Sequence, residues 1–451
     1  MLSHGIKVKK LINITSKRIW PLLAILIIIF YSLIFYYILT YKIHLDFSSL
    51  YYAGQNLSQG INPYSNLFTK HLSQLKALPV NLNPPFAILI FSPLSHLSFI
   101  NAITLWSIIS FILGLIGAYI SFNYAFSKSF IKKNWPYLYI LYLSFFATII
   151  DTTIAQLGAL VLFLIMSGYH FYKKDRDYAA GLIWGLIIAI KLFPALLFIY
   201  ALIKKRYKIC ACIIIVFFLS WLIPFLIYSN EIFIEYFTTL SKVHWYGASW
   251  NGGVYGLIFR LFVDGHYNAN DLLTAKIIFF IVFFITMIFY LYKLKIIEKE
   301  NIEHKSFCFT LVMMLILSPF GWLYYFPILI LPLSLILLTI INNETKSLVT
   351  ILLCFVCLDF INFPIDYTSI DKMGSLTSKF TIHSFYFYGL LILLYLVNKM
   401  KTVGQYSYRC KDVPERLQSN YVIVLACIFS FNIFVFTLGM VNKFLNSWWL
   451  Y

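Results

Sequence analysis

One carboxylate stands directly after the first long apolar run of the sequence. The run covers 21–41, and Asp46 opens the polar, aromatic stretch DFSSLYYAGQNLSQGINPYSN. A carboxylate fixed at the edge of a bilayer can act as a general base that takes the proton of an attacking hydroxyl. It can equally be the N-cap of a helix, because its oxygens accept hydrogen bonds from the first free amides. Both interpretations stay open, and both predict a helix that begins near Asp46.

The residues after Asp46 have the spacing of an amphipathic helix at the membrane surface. Gly60 and Pro63 are expected to end it, because glycine adopts the left-handed conformation at helix ends and proline cannot continue a helix. Such a helix would hold Asp46 at the bilayer edge. The side chains at helical spacing are Phe47, Leu50, Tyr51, Gly54 and Leu57.

Two cations have positions that suit an anionic group of a membrane ligand. Lys191 is the single charge in the apolar run 178–203, where a buried cation costs about 2.5–3.5 kcal/mol and therefore needs a partner. Its side chain either meets a lipid-linked phosphate or extends to the membrane surface. Arg260 follows an external aromatic stretch, and its planar guanidinium matches phosphate oxygens, although the stretch GLIFRLF can also simply end a helix.

These residues need a membrane scaffold to position them. The 451 residues are 61% hydrophobic and 12% charged, whereas soluble domains have roughly 25% charged residues. Apolar runs of about 20 residues recur along the chain, as in transmembrane α-helices. The net charge of +18 resides in basic residues of short loops, which is typical of cytoplasmic loops. The composition indicates an all-α polytopic membrane protein and argues against nucleic-acid binding.

The chain is predicted to form a single integral membrane domain, 1–451, with a cytoplasmic N-terminus. Polar segments then fall outside at 42–83, the first external loop, at 229–271, the second, and at 364–382. No His, Cys, Asp or Glu spacing is typical of a tightly held metal, so neither a metal nor a cofactor is predicted. The external loops are therefore the places where chemistry or recognition would occur.

About 11–13 transmembrane helices are expected. Two of the apolar segments, 84–97 and 178–203, contain prolines or Lys191, so each either crosses the membrane once or forms a broken helix that re-enters the same face. The candidate spans after 21–41 are 84–99, 100–123, 135–150, 153–172, 178–203, 208–228, 272–293, 306–320, 322–341, 347–363, 383–399 and 420–441.

Stretches from residue 20 to residue 340 carry a family resemblance, in the same order as in the family. The order Asp46, Tyr51, Ala53, Gly60, Pro63 resembles the first external loop of polyprenol-phosphate-mannose-dependent α-mannosyltransferases, glycosyltransferase family 87, of the GT-C fold class. The later similar stretches are NPPFAILIFSPLSHL, TTIAQLGALVLFLI, AIKLFPALLFIYALIKKRYK, SWNGGVYGLIFRLF and LSPFGWLYYFPILILPL.

The resemblance implies a GT-C-like bundle that transfers a hexose, with mannose the first candidate. The donor would be a polyprenyl-phosphate sugar, and the acceptor a hydroxyl of a glycolipid, glycan or lipid-linked molecule. Transfer would invert the anomeric centre on the external face of a bacterial inner membrane. Asp46 would be the base, and Lys191 or Arg260 would bind the donor phosphate. The residues expected to contact sugar or acceptor are Tyr51, Tyr64, Asn251, Trp322 and Tyr324.

Three departures from the family pattern leave other functions open. Ala155 stands where glycine is usual, Gly252 and Gly253 replace a Gln-Ser pair, and Tyr324 replaces a histidine. A phenol binds sugar hydroxyls but does not carry a proton near neutral pH as imidazole does. A transporter or lipid flippase, favoured by broken helices, and a catalytically inactive scaffold therefore remain alternatives.

Overall fold

The structure, a computed structural model, consists of α-helices joined by short turns and 3-10 segments. No β-strand occurs among the described residues, and an isolated antiparallel bridge joins Asn251 to Trp322. The predicted all-α fold class is confirmed. The described residues are 2–40, 46–64, 81–243, 245–263, 269–300, 302, 304–341, 348–400, 425–426, 428–430 and 433.

The first half of the chain contributes ten helices over the described residues. They are α1 (Leu2–Thr40), α2 (Asp46–Ser58), α3 (Pro85–Phe91), α4 (Phe99–Ala125), α5 (Lys128–Leu143), α6 (Phe146–Thr153), α7 (Gly158–Lys173), α8 (Asp177–Ile190), α9 (Leu196–Ile203) and α10 (Tyr207–Tyr228).

Eight further helices follow in the described part of the second half. They are α11 (Glu231–Ser241), α12 (Val254–Phe262), α13 (Ala269–Lys299), α14 (Lys305–Leu317), α15 (Ile330–Ile341), α16 (Leu348–Asn362), α17 (Leu376–Phe380) and α18 (Phe385–Lys399).

Five helical segments of the described chain are long and apolar enough to cross a bilayer, and α6 with α7 forms a sixth candidate that is bent by 120°. The protein is therefore a multi-pass membrane protein. The count of about 11–13 spans stays a prediction. Most of the predicted span at 420–441 lies outside the described residues, as do 65–80 and 264–268 of the predicted external loops. The five segments are Ile19–Thr40, Phe99–Ala125, Tyr207–Tyr228, Asn270–Lys299 and Leu376–Lys399.

The predicted break in the apolar run 178–203 occurs at Lys191. α8 ends at Ile190, and Lys191 has the extended backbone angles φ −142° and ψ 125°. A 3-10 turn, Phe193–Ala195, then leads into α9. Pro194 favours this interruption because its ring removes a backbone donor and crowds the preceding turn. The Lys191 side chain therefore leaves the chain at a gap between two short helices.

A second break, between α6 and α7, differs from the sequence expectation. The spans predicted at 135–150 and 153–172 are replaced by α5, which ends at Leu143, and by the bent pair α6 and α7. Ala155 lies in the bend with φ 53°, a left-handed conformation that an alanine side chain disfavours by about 1–2 kcal/mol. This local geometry explains why glycine is the usual residue at that point of the motif.

The helix predicted after Asp46 is present as α2. It ends at Ser58, and Gly60 adopts the left-handed conformation with φ 70°, as expected. α2 packs on α3 and on the 3-10 segment Ser92–His96. Gly54 permits this approach, because a Cβ there would lie 3.0 Å from the Cα of Ser92.

The bundle brings several of these interruptions together. α7 packs against both α4 and α8, and α8 packs against α10. The 3-10 segment Leu323–Leu329 contacts both α6 and α7. The start of this segment therefore lies beside the bend that contains Ala155.

Candidate active site

The Asp46 carboxylate is held at the start of α2 by a residue 110 positions away. Nε2 of Gln156 donates a hydrogen bond of 2.6 Å to Oδ2 of Asp46. Burial raises the pKa of the Asp46 carboxyl, and the Gln156 hydrogen bond and the Lys191 charge oppose part of that shift. The site thus contains a partly desolvated carboxylate with one oxygen engaged by an amide.

Gln156 is presented by the bend between α6 and α7. The carboxylate of buried Asp151 accepts hydrogen bonds from the backbone N–H groups of Gly158, at 2.7 Å, and Ala159, at 2.8 Å. These are free amides at the start of α7, which a carboxylate satisfies well. Asp151 therefore caps α7 and shapes the bend.

Lys191 supplies the positive charge of the site. Its Nζ lies 5.4 Å from the centre of the Tyr325 ring, within the range of a cation–π contact. Its charge also acts on Asp46. A cation and a carboxylate from distant parts of the chain therefore belong to one electrostatic cluster.

Aromatic rings line the same cluster. Trp322 and Tyr324 stack with ring centres 6.3 Å apart, and Tyr324 meets Tyr325 edge to face at 4.6 Å. The Asp46 charge acts on Tyr324 and also on Tyr367, which follows α16. Two residues predicted as sugar contacts, Trp322 and Tyr324, thus lie with the candidate base and cation.

The other predicted sugar contacts bind main-chain groups of the protein itself. The Tyr51 hydroxyl donates to the carbonyl oxygen of Leu97 at 2.7 Å. The Tyr64 hydroxyl donates to the carbonyl oxygen of Asn83 at 2.8 Å. Both rings are buried, so these contacts fix the first external loop onto the bundle. Their contact with a ligand stays a prediction.

Asn251 joins two segments near the cluster. Its Nδ2 donates to the carbonyl oxygens of Tyr246 and Pro319 at 2.9 and 2.8 Å, and its Oδ1 accepts from Gly253 N–H at 2.9 Å. The side chain is fully buried. These bonds support the bridge to Trp322, and the predicted sugar contact of Asn251 stays untested.

Arg260 is buried and contacts the loop that contains Asn251. Its Nη1 donates to the carbonyl oxygens of Ala248, at 3.1 Å, and Asn251, at 3.0 Å, while Nε donates to Oγ of Ser384 at 3.1 Å. Its Nη2 has no hydrogen-bond partner within the described part of the chain. The guanidinium therefore organises the loop and keeps one donor group unused.

Comparison with protein families matches residues 81–319 to Glycosyltransferase family 87, which is more than half of the 451-residue chain. The chain belongs to glycosyltransferase family 87. The protein is therefore a membrane glycosyltransferase with a sugar donor and an acceptor, and the suspected family is confirmed. No curated protein and no solved structure gives a significant match.

The family match covers one part of the cluster. Of the cluster, Gln156 and Lys191 lie inside 81–319, whereas Asp46 and Tyr324 lie outside it; Arg260, which is not part of the cluster, also lies inside. The family assignment therefore supports glycosyl transfer in general, and the roles of these residues depend on the geometry. Among the described residues, no group of three or more His, Cys, Asp or Glu side chains is placed to hold a metal ion.

The Gly252–Gly253 departure from the family pattern has a packing reason. A Cβ at Gly253 would lie 2.5 Å from the carbonyl oxygen of Ser318, and one at Gly252 would lie 2.8 Å from the Phe326 ring. These distances are shorter than atoms tolerate, so a side chain at either position would require the loop to shift. The close approach of this loop to the segment around Gly321 also allows a hydrogen bond of 2.9 Å from Gly252 N–H to the carbonyl oxygen of Gly321.

Sequence reasoning missed Gln156, Tyr325 and Tyr367 as members of the cluster. Gln156 alone had a recognisable signal, because it is a polar residue between two apolar helices in a family motif. Tyr325 and Tyr367 are two of many tyrosines in the chain, and only the fold separates them from packing residues.

The Ala155→Gly variant is expected to keep its stability or gain up to about 1 kcal/mol. Relief of the left-handed alanine, about 1–2 kcal/mol, outweighs the loss of one buried methyl group, about 0.8 kcal/mol. The control Ala118→Gly, in the middle of α4, should lose about 1–2 kcal/mol, because glycine weakens a helix interior. Thermal unfolding of both variants and of the wild type in the same detergent measures these changes in stability. If Ala155→Gly lost as much stability as Ala118→Gly, backbone strain at Ala155 would be contradicted.

Proposed function

We propose that this glycosyltransferase moves a hexose, with mannose the first candidate, from a polyprenyl phosphate to an acceptor hydroxyl on the external face of the cell membrane. The observation that carries the proposal is the cluster in which the Asp46 carboxylate and the Lys191 cation act on each other. A base and a phosphate-binding cation are the two groups that such a transfer needs.

The proposed chemistry takes place in one displacement. Asp46 accepts the proton of the acceptor hydroxyl while the acceptor oxygen bonds to the anomeric carbon of the sugar. The bond between that carbon and the phosphate oxygen breaks, and its electron pair leaves with the polyprenyl phosphate. Attack opposite the leaving group inverts the anomeric centre, and one carboxylate is enough for it, unlike the carboxylate pairs of glycosidases.

Lys191 is proposed to contact the donor phosphate. Its position at the gap between α8 and α9 places a cation at the end of apolar helices, where a lipid-linked donor can approach sideways from the bilayer. A positive charge there stabilises the negative charge that grows on the leaving phosphate. Arg260 remains a candidate for the same contact through its unused Nη2.

Trp322 and Tyr324 are proposed to contact the sugar. Their stacked rings lie beside the base, and aromatic faces pack well against the apolar faces of sugar rings. The Tyr324 hydroxyl would replace a histidine as a hydrogen-bonding group, which suits binding of sugar hydroxyls without proton transfer. The acceptor contacts of Tyr51, Tyr64 and Asn251 stay candidates. For such contacts the loops that carry these residues would have to rearrange, because their side chains now bind main-chain groups of the protein.

The direct experiment measures transfer of labelled hexose from a synthetic polyprenyl-phosphate sugar to acceptors in a glycolipid and glycan extract of the cells that make the protein, catalysed by the purified full-length protein in lipid vesicles. Labelled glycolipid or glycan should form with the wild-type protein. Movement of the intact donor between leaflets without product would support the flippase alternative. Neither product nor movement, with donors carrying mannose, glucose and a pentose, would support the inactive scaffold.

The proposed orientation predicts which residues react from outside the cell. Gln59 follows α2, and Lys372 lies in the segment between α16 and α17; both are exposed. In a variant without native cysteines, Gln59→Cys and Lys372→Cys should react with a membrane-impermeant maleimide on intact cells. The control Lys174→Cys, in the exposed turn after α7, should react after lysis alone. Reaction of one external site without the other would contradict the topology.

A further inference from the structure

We infer that Gln156 is a positioning residue for Asp46: it holds the carboxylate through Oδ2 and leaves Oδ1 as the oxygen that receives the acceptor's proton. The inference rests on the proposed function. It goes beyond that function by assigning a task to a residue that contacts the base and not the reacting sugar. The hydrogen bond that carries it is 2.6 Å long.

The orientation of the Gln156 amide follows from its neighbours. Its Oε1 accepts a hydrogen bond of 3.0 Å from the backbone N–H of Leu157. An NH₂ group cannot accept this bond, so the oxygen must face Leu157 and the nitrogen must face Asp46. Gln156 therefore acts as a donor to Asp46 with a defined orientation.

The bend that carries Gln156 is anchored at several points. Asp151 binds two amides at the start of α7, and Gln156 N–H donates to the carbonyl oxygen of Asp151 at 3.0 Å. Trp106 in α4 donates from Nε1 to the carbonyl oxygen of Ala155 at 3.1 Å. These bonds tie Gln156 to three helices, which is how a reacting group is held within about 0.5 Å of its working position.

Contact with the segment Leu323–Leu329 completes the anchor. Gly158 lies so close to the Tyr324 carbonyl oxygen that a Cβ on Gly158 would be 1.9 Å from it. The bend and the start of this segment thus form one packed unit. This packed unit therefore positions both Gln156 and the proposed sugar contact Tyr324.

The hydrogen bond also affects the charge of Asp46. Its donor favours the carboxylate form, while burial favours the neutral acid. Among the described residues, the other titratable groups that act on Asp46 are Lys191, Tyr324, Tyr325 and Tyr367. Removing the donor should therefore raise the Asp46 pKa, and a larger share of the protein would hold a protonated, inactive base at a given pH.

The test compares pH profiles of kcat/KM for wild type and Gln156→Met, which keeps the side-chain length without a donor. The acid limb should move up by about one pH unit, because a hydrogen bond to a charged group is lost. The rate should recover in part at high pH, with little change in KM for the donor. A purely structural role would lower the rate at every pH without moving the limb.

Two further variants make the test decisive. Gln156→Glu keeps the shape and the bond to Leu157 but places a second carboxylate against Asp46, so the limb should move further in the same direction. Gln55→Met, on α2 with a hydrogen bond to Tyr51 rather than to Asp46, should keep the wild-type limb. An unmoved limb in both Gln156 variants would overturn the inference.

A second readout does not require sugar transfer. Infrared difference spectra follow the protonated-carboxyl band that Asp46→Asn removes, so they measure the titration of Asp46 directly. Its midpoint should rise by about one pH unit in Gln156→Met. An unchanged midpoint would overturn the inference even in an active enzyme. A raised midpoint in a protein that transfers no sugar would support the contact and reject the proposed function instead.

Discussion

Asp46→Asn is expected to accumulate in the membrane at near wild-type level while it transfers sugar about 10²–10⁴ times more slowly. The amide oxygen of asparagine can still accept the hydrogen bond from Gln156, which in the wild type is 2.6 Å long. It also retains a good side chain for a helix start. It cannot accept the acceptor's proton, so chemistry should fail while folding persists. Initial rates with saturating donor, corrected for the amount of protein, measure the effect.

The control is another carboxylate on the same predicted side. Asp371 is exposed in the 3-10 turn Ile370–Lys372, and Asp371→Asn should keep the wild-type rate. A normal rate for Asp46→Asn with poor accumulation of Asp46→Ala would reduce Asp46 to a helix cap. Asp151 and Asp271 would then be the next carboxylates to test, together with Asp264, which lies outside the described residues.

The sequence predicted those features that depend on local chemistry. The helix from Asp46 to Ser58 and its glycine end follow from apolar spacing and the left-handed preference of Gly60. The break at Lys191 follows from Pro194 and from a charge inside an apolar run. In each case, the cause lies within a few residues of the effect, so a single sequence is enough to find it.

Contacts between distant segments were not predictable in the same way. The bond from Gln156 to Asp46 joins residues 110 positions apart, and it exists because α6 and α7 bend by 120°. Helix periodicity indicates which side of a helix is apolar, and it does not indicate where two loops meet. Family order brought Gln156 to notice as part of a turn, without its partner.

Arg260 and Asn251 show a related limit. Arg260 was predicted to bind the donor phosphate because its planar guanidinium suits phosphate oxygens, and the family resemblance implied Asn251 as a sugar or acceptor contact. In the structure, their hydrogen bonds reach main-chain atoms of their own loop and neighbouring segments. A buried arginine that donates to carbonyl oxygens and an arginine that binds a phosphate have similar neighbouring residues in the sequence. Substitution experiments can separate these two roles.

Lys191→Met is expected to lower kcat/KM for the polyprenyl-phosphate donor by roughly 10- to 150-fold, the value of one charge-assisted contact of about 1.5–3 kcal/mol. The protein should accumulate normally, because methionine removes a charge that is costly within apolar helices. Lys191→Arg keeps the charge and should recover most of the loss. Donor-concentration series at fixed acceptor measure these changes.

Lys191 also favours the charged form of Asp46, so its removal has two effects that must be separated. The electrostatic effect on Asp46 should disappear at high pH, where the carboxyl is ionised in any case. The lost phosphate contact should persist at every pH at which the donor phosphate and the wild-type Lys191 ammonium are both charged. A loss of donor efficiency that remains at a pH where Asp46 is ionised and Lys191 is still protonated therefore assigns Lys191 to the phosphate.

The matched comparison is Arg260, whose Nη1 supports the carbonyl oxygens of Ala248 and Asn251. Arg260→Met should reduce accumulation, because those buried acceptors lose their donor at a cost of about 1–3 kcal/mol each. Arg260→Lys keeps the charge and should restore part of the folding without the planar fork. If Arg260→Lys accumulated normally but used the donor poorly, while Lys191→Met had wild-type donor kinetics at a pH where Asp46 is ionised and the wild-type Lys191 is still protonated, the phosphate contact would belong to Nη2 of Arg260. Lys191 would then act on Asp46 alone.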